Sequence, residues 1–420
     1  MTLLQLAMLA FWGLAGFAAV NSLCTAFTLV VLLRHRPDVP ADEALPKVAV
    51  LLCLRGADPH LADGLRRLMN QRYPRYEIFI AIDSDTDPAW GIIRQMLTES
   101  GVCKVHSSTL RNRLKTCSLK CSSLVQLLDD IDDSFEVLVL ADSDLESHAT
   151  WLRELVAPLA DPHIGASFGN RWFLPTTGWM GSLVRQVCNG ISVVTMHLGQ
   201  IPWGGSLAIR ASVVRDGGLH RTLATSIVDD GPIRAAVKKQ RLKLRFVPSL
   251  LLANREDCSL QFAHSFLTRQ LKWTNTYMSA WWPTMLVYAL GVLLTYMATL
   301  VLSLVCILQS LYTEAFWFAA GATVYSVTVM TLWLVMDFAA RRIIRAQGES
   351  APGILGIQLL RIPLAMLLSV AIHVSAILRA TFMKRVVWRG VTYEVYGPND
   401  VRLLDDANLQ VPLETPNVSL

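Results

Sequence analysis

Apolar and polar residues along this chain are organised on two length scales. No charged side chain occurs from Met1 to Leu33, from Thr274 to Thr313, or from Ala315 to Met336. Each run exceeds the roughly 20 residues an α-helix needs to cross a hydrocarbon layer. Residues 35 to 273 instead alternate short apolar and charged segments, as a soluble domain does. Within them "KVAVLLCL" (47–54), "YEIFIAI" (76–82) and "FEVLVLA" (135–141) are continuous apolar runs of strand length, with helical patterns over 59–72 and 88–100. Buried strands alternating with helices predict an open, mostly parallel α/β sheet of Rossmann type.

The long apolar runs set the domain plan. A transmembrane helix is expected over 1–34 and a polar, Pro-rich linker over 35–46. The α/β domain, ending in an interfacial helix, is expected over 47–282. The first run is too long for the 7–15-residue core, about, of a signal peptide, and no basic residue precedes it. Arg34 and Arg36 follow it, which by the positive-inside rule places the N-terminus outside and the α/β domain in the cytosol. Spans over 285–309 and 315–336 are joined closely enough to form an antiparallel hairpin, and "RRIIR" (341–345) marks the return to the cytosol. Residues 353–383 are apolar but interrupted by Arg361, Pro363, His373 and Arg379. One crossing there would carry the basic "MKRVVWRG" (383–390) outside, so a re-entrant or interfacial segment is expected, followed by a cytosolic tail over 384–420.

Composition agrees. The 420 residues are 53% hydrophobic and 17% charged, too apolar for an ordinary soluble protein. The net charge of +5 suits a domain lying on an anionic leaflet, and nothing points to nucleic acid. Of eight cysteines, Cys117 and Cys121 share a four-residue register, but no second pair completes a zinc site, so free thiols are expected.

In open α/β sheets ligands bind beyond the carboxyl ends of the strands. Here those ends carry Arg55-Gly56-Ala57-Asp58, Asp83-Ser-Asp85-Thr-Asp87 and Asp142-Ser-Asp144. Two aspartates one residue apart can hold Mg²⁺ or Mn²⁺ together with a diphosphate. A plain surface turn gives the same pattern. A haloacid-dehalogenase-type phosphatase would carry Thr or Val where Glu146 stands. Asp229 and Asp230 open a helical, basic segment (226–248), where a carboxylate either complements the helix dipole or acts as general base. Gly204 and Gly205 allow close backbone approach to a ligand, or simply a turn. Arg269, Lys272 and Trp273 share neighbouring helical positions, suited to gripping a diphosphate and stacking on a sugar or headgroup, or to anchoring at a membrane surface.

Taken in order, these segments resemble the processive and membrane-bound family 2 type glycosyltransferases, above all ceramide glucosyltransferases and bacterial hopanoid-associated enzymes. The resemblance covers residues 5–396. It is carried by "LRGADPHL" (54–61), "QRYPRYEIFIAIDSDTDPA" (71–89), "LADSD" (140–144), "VDDG" (228–231), "RQLKW" (269–273) and "VVWRGVTYEV" (386–395), with Lys120 in "SLKCSSL" matching a family lysine. Lys272 stands where the family has arginine, Asp229 where it has glutamate, and the loop 106–117 lacks the usual Gly-Lys pattern.

The resemblance implies a GT-A-like domain that binds a nucleotide sugar, such as a UDP-sugar, and a membrane-lipid acceptor. Arg55, Gly56, Asp83, Asp85, Asp87, Lys120, Asp142, Gly204 and Gly205 would surround the donor, with Asp87 matching the first family aspartate. Asp144 with Asp142 would hold Mn²⁺ or Mg²⁺, and Asp230, next to Asp229, would be the base. Arg269, Lys272 and Trp273 would close over diphosphate and acceptor. The alternative is a non-catalytic membrane scaffold that binds nucleotide sugar or lipid.

Overall fold

The computed structural model describes residues 1–36, 40–99, 104–354 and 356–406. Residues 37–39 of the expected linker, the last residue of the 88–100 helical pattern and the tail beyond 406 lie outside the described residues.

Seven strands form the central sheet: β1 (Val48–Leu54), β2 (Tyr76–Ile82), β3 (Lys104–Thr109), β4 (Val137–Ala141), β5 (Ile164–Phe173), β6 (Ser206–Arg210) and β7 (Lys243–Asn254). Their spatial order is β3-β2-β1-β4-β6-β5-β7. Pairing is parallel everywhere except around β6, which runs antiparallel to β4 and β5. The three expected strands coincide with β1, β2 and β4, and the expected helices with Leu61–Met69 and Ala89–Glu99. Both faces of β1 are buried because successive side chains point to opposite sides. Val48, Val50 and Leu52 pack with Leu65, Ile93 and Trp151, while Ala49 and Leu51 pack with Leu124, Phe135 and Phe168.

The expected helical segment 226–248 is two elements. Its helix, Asp230–Lys239, stops where Arg241 takes a left-handed conformation (φ 59°), and β7 follows. The strand was masked in sequence by the basic run before it. β3 was missed because "KVHSST" is an edge strand with few apolar residues.

Four helices are long and apolar enough to cross a membrane: Leu3–Arg34, Trp282–Leu308, Tyr312–Ala346 and Gly356–Phe382. The first three pack on one another through Ala7, Leu14, Tyr296, Cys306, Phe318 and Ala322. Trp12, Leu23, Val287 and Leu308 point outward. The bundle is continuous with the sheet, since Leu32, Met336, Ala340 and Ile344 belong to the core on one sheet face. Trp172 Nε1, at 3.1 Å, and Gln186 Nε2, at 3.0 Å, both donate to Asp337 Oδ1 on the Tyr312–Ala346 helix.

Residues 356–382 form one continuous helix, unbroken at Pro363. Both of its ends meet the α/β domain. Gln358 Nε2 donates to the carbonyls of Pro175 and Thr177, and near the other end the Ala380 carbonyl accepts from Asn275 Nδ2. Beyond it, β8 (Arg385–Trp388), β9 (Val391–Gly397) and β10 (Asp400–Asp406) make an antiparallel sheet. This sheet packs through Val386, Val391, Tyr393 and Val395 against Leu119, Ile227 and Trp273. The "tail" is thus a lid over the strand ends.

Candidate active site

A cavity of about 150 Å³ opens beyond the carboxyl ends of β1, β2 and β4. The sheet delivers Arg55, Asp83, Asp142 and Asp144 to it, because each follows directly on a buried parallel strand. Lys120 comes from the first turn of the Leu119–Asp130 helix, whose N-cap Ser118 accepts from Cys121 N. Arg269 and Trp273 come from the Leu260–Tyr277 helix.

The charges are interlocked. Asp83, 4% exposed, receives Arg55 Nη1 at 2.5 Å and Arg113 Nη2 at 3.1 Å on Oδ2. Its Oδ1 is buried without a hydrogen-bond partner. Lys120 Nζ bridges Asp142 Oδ1 at 2.9 Å and Asp229 Oδ2 at 3.2 Å. Asp144 Oδ2 accepts from Asn254 Nδ2 at 3.2 Å and faces Arg171 Nη1 at 3.8 Å. Burial, then the neighbouring charge of Asp142, pushes the Asp144 carboxyl up to about 6. Asp142 is held below the usual range: burial acts against it, and Lys120 and Arg171 outweigh burial. Glu146 stands apart, paired with Arg255.

Asp142 and Asp144 are a fitting donor set for a hard divalent cation. Such an ion takes one or two protein carboxylates and leaves positions for phosphate and water. The raised Asp144 carboxyl, crowded by Asp142 and Glu256, is where a cation relieves repulsion. Among the described residues no group of three or more His, Cys, Asp or Glu side chains makes a closed metal site, as expected for an ion shared with a diphosphate.

Other expected site residues are placed differently. Asp87, 2% exposed, accepts from Gly56 N at 2.9 Å and from Ala89 N at 2.9 Å, so it braces the loop after β1 and does not line the cavity. Gly56, in a left-handed conformation (φ 81°), supplies that N–H. Asp85 is exposed and accepts from Thr109 Oγ1 at 2.5 Å. Gly204 and Gly205 make room for carboxylates. A Cβ at Gly204 would lie 2.1 Å from Asp229 Oδ2, and one at Gly205 would lie 2.5 Å from Asp142 Oδ2. Asp229 occupies the N-cap position but makes no side-chain cap bond; it faces Lys120 instead. Asp229, Asp230 and Lys272 are not among the residues that line the cavity. The Asp230 carboxyl is pushed up to about 7, chiefly by burial and then by Asp229. Burial lowers the Lys272 ammonium.

Several lining residues carried no sequence signal as site residues: Arg171, Arg185 and Glu256 above all. Arg389 had one, the "VVWRG" segment, and its position explains it. Its Nη1 donates to the Arg55 carbonyl at 3.0 Å, its Nη2 to Ser143 Oγ at 3.3 Å, and its own carbonyl accepts from Arg55 Nε at 3.1 Å. Trp388 lies 6.2 Å from Trp273, ring centre to ring centre.

A mostly parallel sheet with paired carboxylates at its strand ends and a cation-lined cleft is the architecture of the GT-A fold class, here joined to four helices long and apolar enough to cross a membrane. The fold has a solved counterpart in the mannosyltransferase PcManGT of Pyrobaculum calidifontis, obtained with GDP-Man and Mn²⁺. It aligns with a TM-score of 0.51 at 14% identity, over 90% of this chain and 99% of that one. The chain belongs to glycosyl transferase family 21, whose model matches residues 14–399. A ceramide glucosyltransferase of Komagataella phaffii is 27% identical over 71 residues, which is 17% of this chain and 14% of that protein.

Proposed function

We propose that the protein transfers a sugar from a nucleotide sugar, UDP-glucose or a similar donor, to a hydroxyl of a membrane lipid, with inversion at the anomeric carbon. One observation carries this reading. The cavity holds Asp83, Asp142 and Asp144 on its sheet side, while its opposite wall is the Leu260–Tyr277 helix, which packs on the apolar Gly356–Phe382 helix. This arrangement supports a polar donor and a lipid acceptor meeting in one cleft.

The nucleotide end lies by Arg55 and Asp83. Asp142 and Asp144 would hold Mn²⁺ or Mg²⁺, which when bound neutralises charge on the departing diphosphate. Asp230 takes the proton of the lipid hydroxyl. The hydroxyl oxygen then bonds to the anomeric carbon as the bond to the diphosphate oxygen breaks, and the nucleoside diphosphate leaves. Lys120 and Arg389 offset its charge, and the donor hydrogen bonds of fixed guanidinium groups suit phosphate oxygens. Arg34 at the end of one helix, Arg36 just beyond it, and Arg341, Arg342 and Arg345 near the end of another lie at the domain end of the bundle, supporting a cytosolic domain by the positive-inside rule. Both ends of the Gly356–Phe382 helix meet that domain, which supports an interfacial or re-entrant placement.

The test is transfer from radiolabelled UDP-glucose by the purified full chain in nanodiscs, with and without Mn²⁺. Ceramide and a hopanoid alcohol, the acceptors the resemblance implies, are offered with other lipids. A labelled, metal-dependent lipid is expected. Saturable UDP binding with no labelled lipid from any donor would instead make the chain a scaffold.

A further inference from the structure

The charges lining the cavity exceed what donor chemistry requires. Among the described lining residues six side chains are cationic and four are carboxylates. A divalent cation and the ionised diphosphate of a nucleotide sugar cancel one another, so the excess of two positive charges remains after the donor is bound.

The excess sits in one place. Arg171 on β5, Arg185 on the Met180–Gly199 helix and Arg269 on the Leu260–Tyr277 helix form a wall connected by phenyl rings. Phe173 lies between Arg185, 4.2 Å away, and Arg171, 5.7 Å away. Phe266 lies between Arg171 at 5.6 Å and Arg269 at 5.8 Å. Rings hold a guanidinium by its face and leave its edge N–H groups free for an acceptor. Carboxylates reach these groups only at the edge of ion-pair range. Arg171 meets Asp144 at 3.8 Å, Arg185 Nη1 meets Glu256 Oε2 at 3.7 Å, and Arg269 has no ion pair among the described residues. Arg185 is 4% exposed, donates to the Glu256 carbonyl, and keeps its Nε buried without a partner. Burial first, and then Arg171 and Arg389, push Arg269 down to about 10.

Leu183 and Leu267, from the two helices that carry Arg185 and Arg269, pack with Ala365 and Ala376 of the apolar Gly356–Phe382 helix. That packing connects the wall to the element along which a lipid headgroup would arrive.

We infer that Arg171, Arg185 and Arg269 form an acceptor subsite for a hydroxyl-bearing lipid whose headgroup also carries an anion, a phosphate or a carboxylate. This rests on the glycosyltransferase reading and narrows it, since ceramide and hopanoid alcohols carry no such charge.

The experiment measures binding of short-chain phosphatidylglycerol to the detergent-solubilised full chain preloaded with UDP and Mn²⁺. Short-chain glucuronosyl diacylglycerol provides a carboxylate arm, and short-chain diacylglycerol and ceramide are the neutral arms. Binding of at least one anionic lipid about tenfold tighter than either neutral lipid is expected; the tighter anionic arm identifies phosphate or carboxylate. Arg185→Gln is expected to weaken anionic binding about tenfold while leaving UDP affinity within about threefold, and Arg185→Lys to keep most of it. Equal binding of neutral and anionic lipids by the wild-type chain, a comparison that needs no variant, overturns the proposal alone. So does a parallel loss of UDP affinity in Arg185→Gln, which would assign the wall to the donor diphosphate. Absence of UDP binding by the wild-type chain removes the donor reading and the proposal with it.

Discussion

Replacing Lys120 by methionine tests the electrostatic frame of the site most directly. The ammonium lies 2.9 Å from Asp142 Oδ1 and 3.2 Å from Asp229 Oδ2, with side-chain exposures of 20% for Lys120, 26% for Asp142 and 4% for Asp229. At an effective dielectric near 20, each contact is worth about 5 kcal/mol before desolvation is counted. Desolvation of the ammonium removes several kcal/mol, so a net loss of about 3–5 kcal/mol is expected, the usual result of leaving buried charge unpaired. The loss depends on pH in a defined direction. In the native protein the Asp142 carboxyl is depressed, so its stabilisation is present at neutral pH and lost as pH falls through its folded value. Lys120 is raised, so its contribution is complete below its unfolded value and lost only in strong alkali. Without Lys120 the carboxylates shift upward and escape their repulsion by taking protons. The gap between Lys120→Met and wild type should therefore be widest near pH 8 and shrink toward pH 5. Adding Asp229→Asn should restore about half of it, since one of two unpaired carboxylates is then gone. Paired thermal unfolding in one detergent at pH 5, 6.5 and 8 measures this. A gap below about 1 kcal/mol, or one that does not change with pH, would refute the reasoning.

Four further outcomes follow from the same geometry. Asp144→Asn should lower transfer by far more than tenfold, about 1.4 kcal/mol of barrier, while unfolding temperature changes little; retention of a tenth of the activity would remove the metal assignment. Asp230→Asn should lower kcat by roughly 10²-fold with UDP affinity unchanged, and because that carboxyl lies near 7, wild-type kcat should fall as pH drops below 7; a flat profile from pH 5.5 to 8.5 would argue against Asp230 as base. Gly204→Ala should displace Asp229, whose Oδ2 would lie 2.1 Å from the new methyl, and should destabilise by about 1–3 kcal/mol in the same melts. A membrane-impermeant thiol probe should not label cysteines placed at Thr150 or Arg215 in intact cells; labelling of either from outside would reverse the orientation.

The sequence by itself determined the elements whose cause is local. Three charge-free runs announce three of the four long apolar helices, and three continuous apolar runs announce β1, β2 and β4 within two residues. The end of β4 marked Asp142 and Asp144 as candidates, because ligands of open α/β sheets bind beyond the carboxyl ends of the strands, although a plain surface turn gives the same pattern. What the tertiary structure decided is convergence between distant residues, which no periodicity records. Arg389 reaches Ser143 across 246 positions, and Asn254 reaches Asp144 across 110. Arg171 and Arg185 carry no signal in the sequence, and β5 and the Met180–Gly199 helix bring both onto Phe173 inside the cleft. The same limit applies in reverse to Asp87, conspicuous in its motif, whose carboxylate is consumed by the N–H groups of Gly56 and Ala89. A carboxylate's role depends on which donors surround it, and those donors are supplied by the packing of the sheet and its loops.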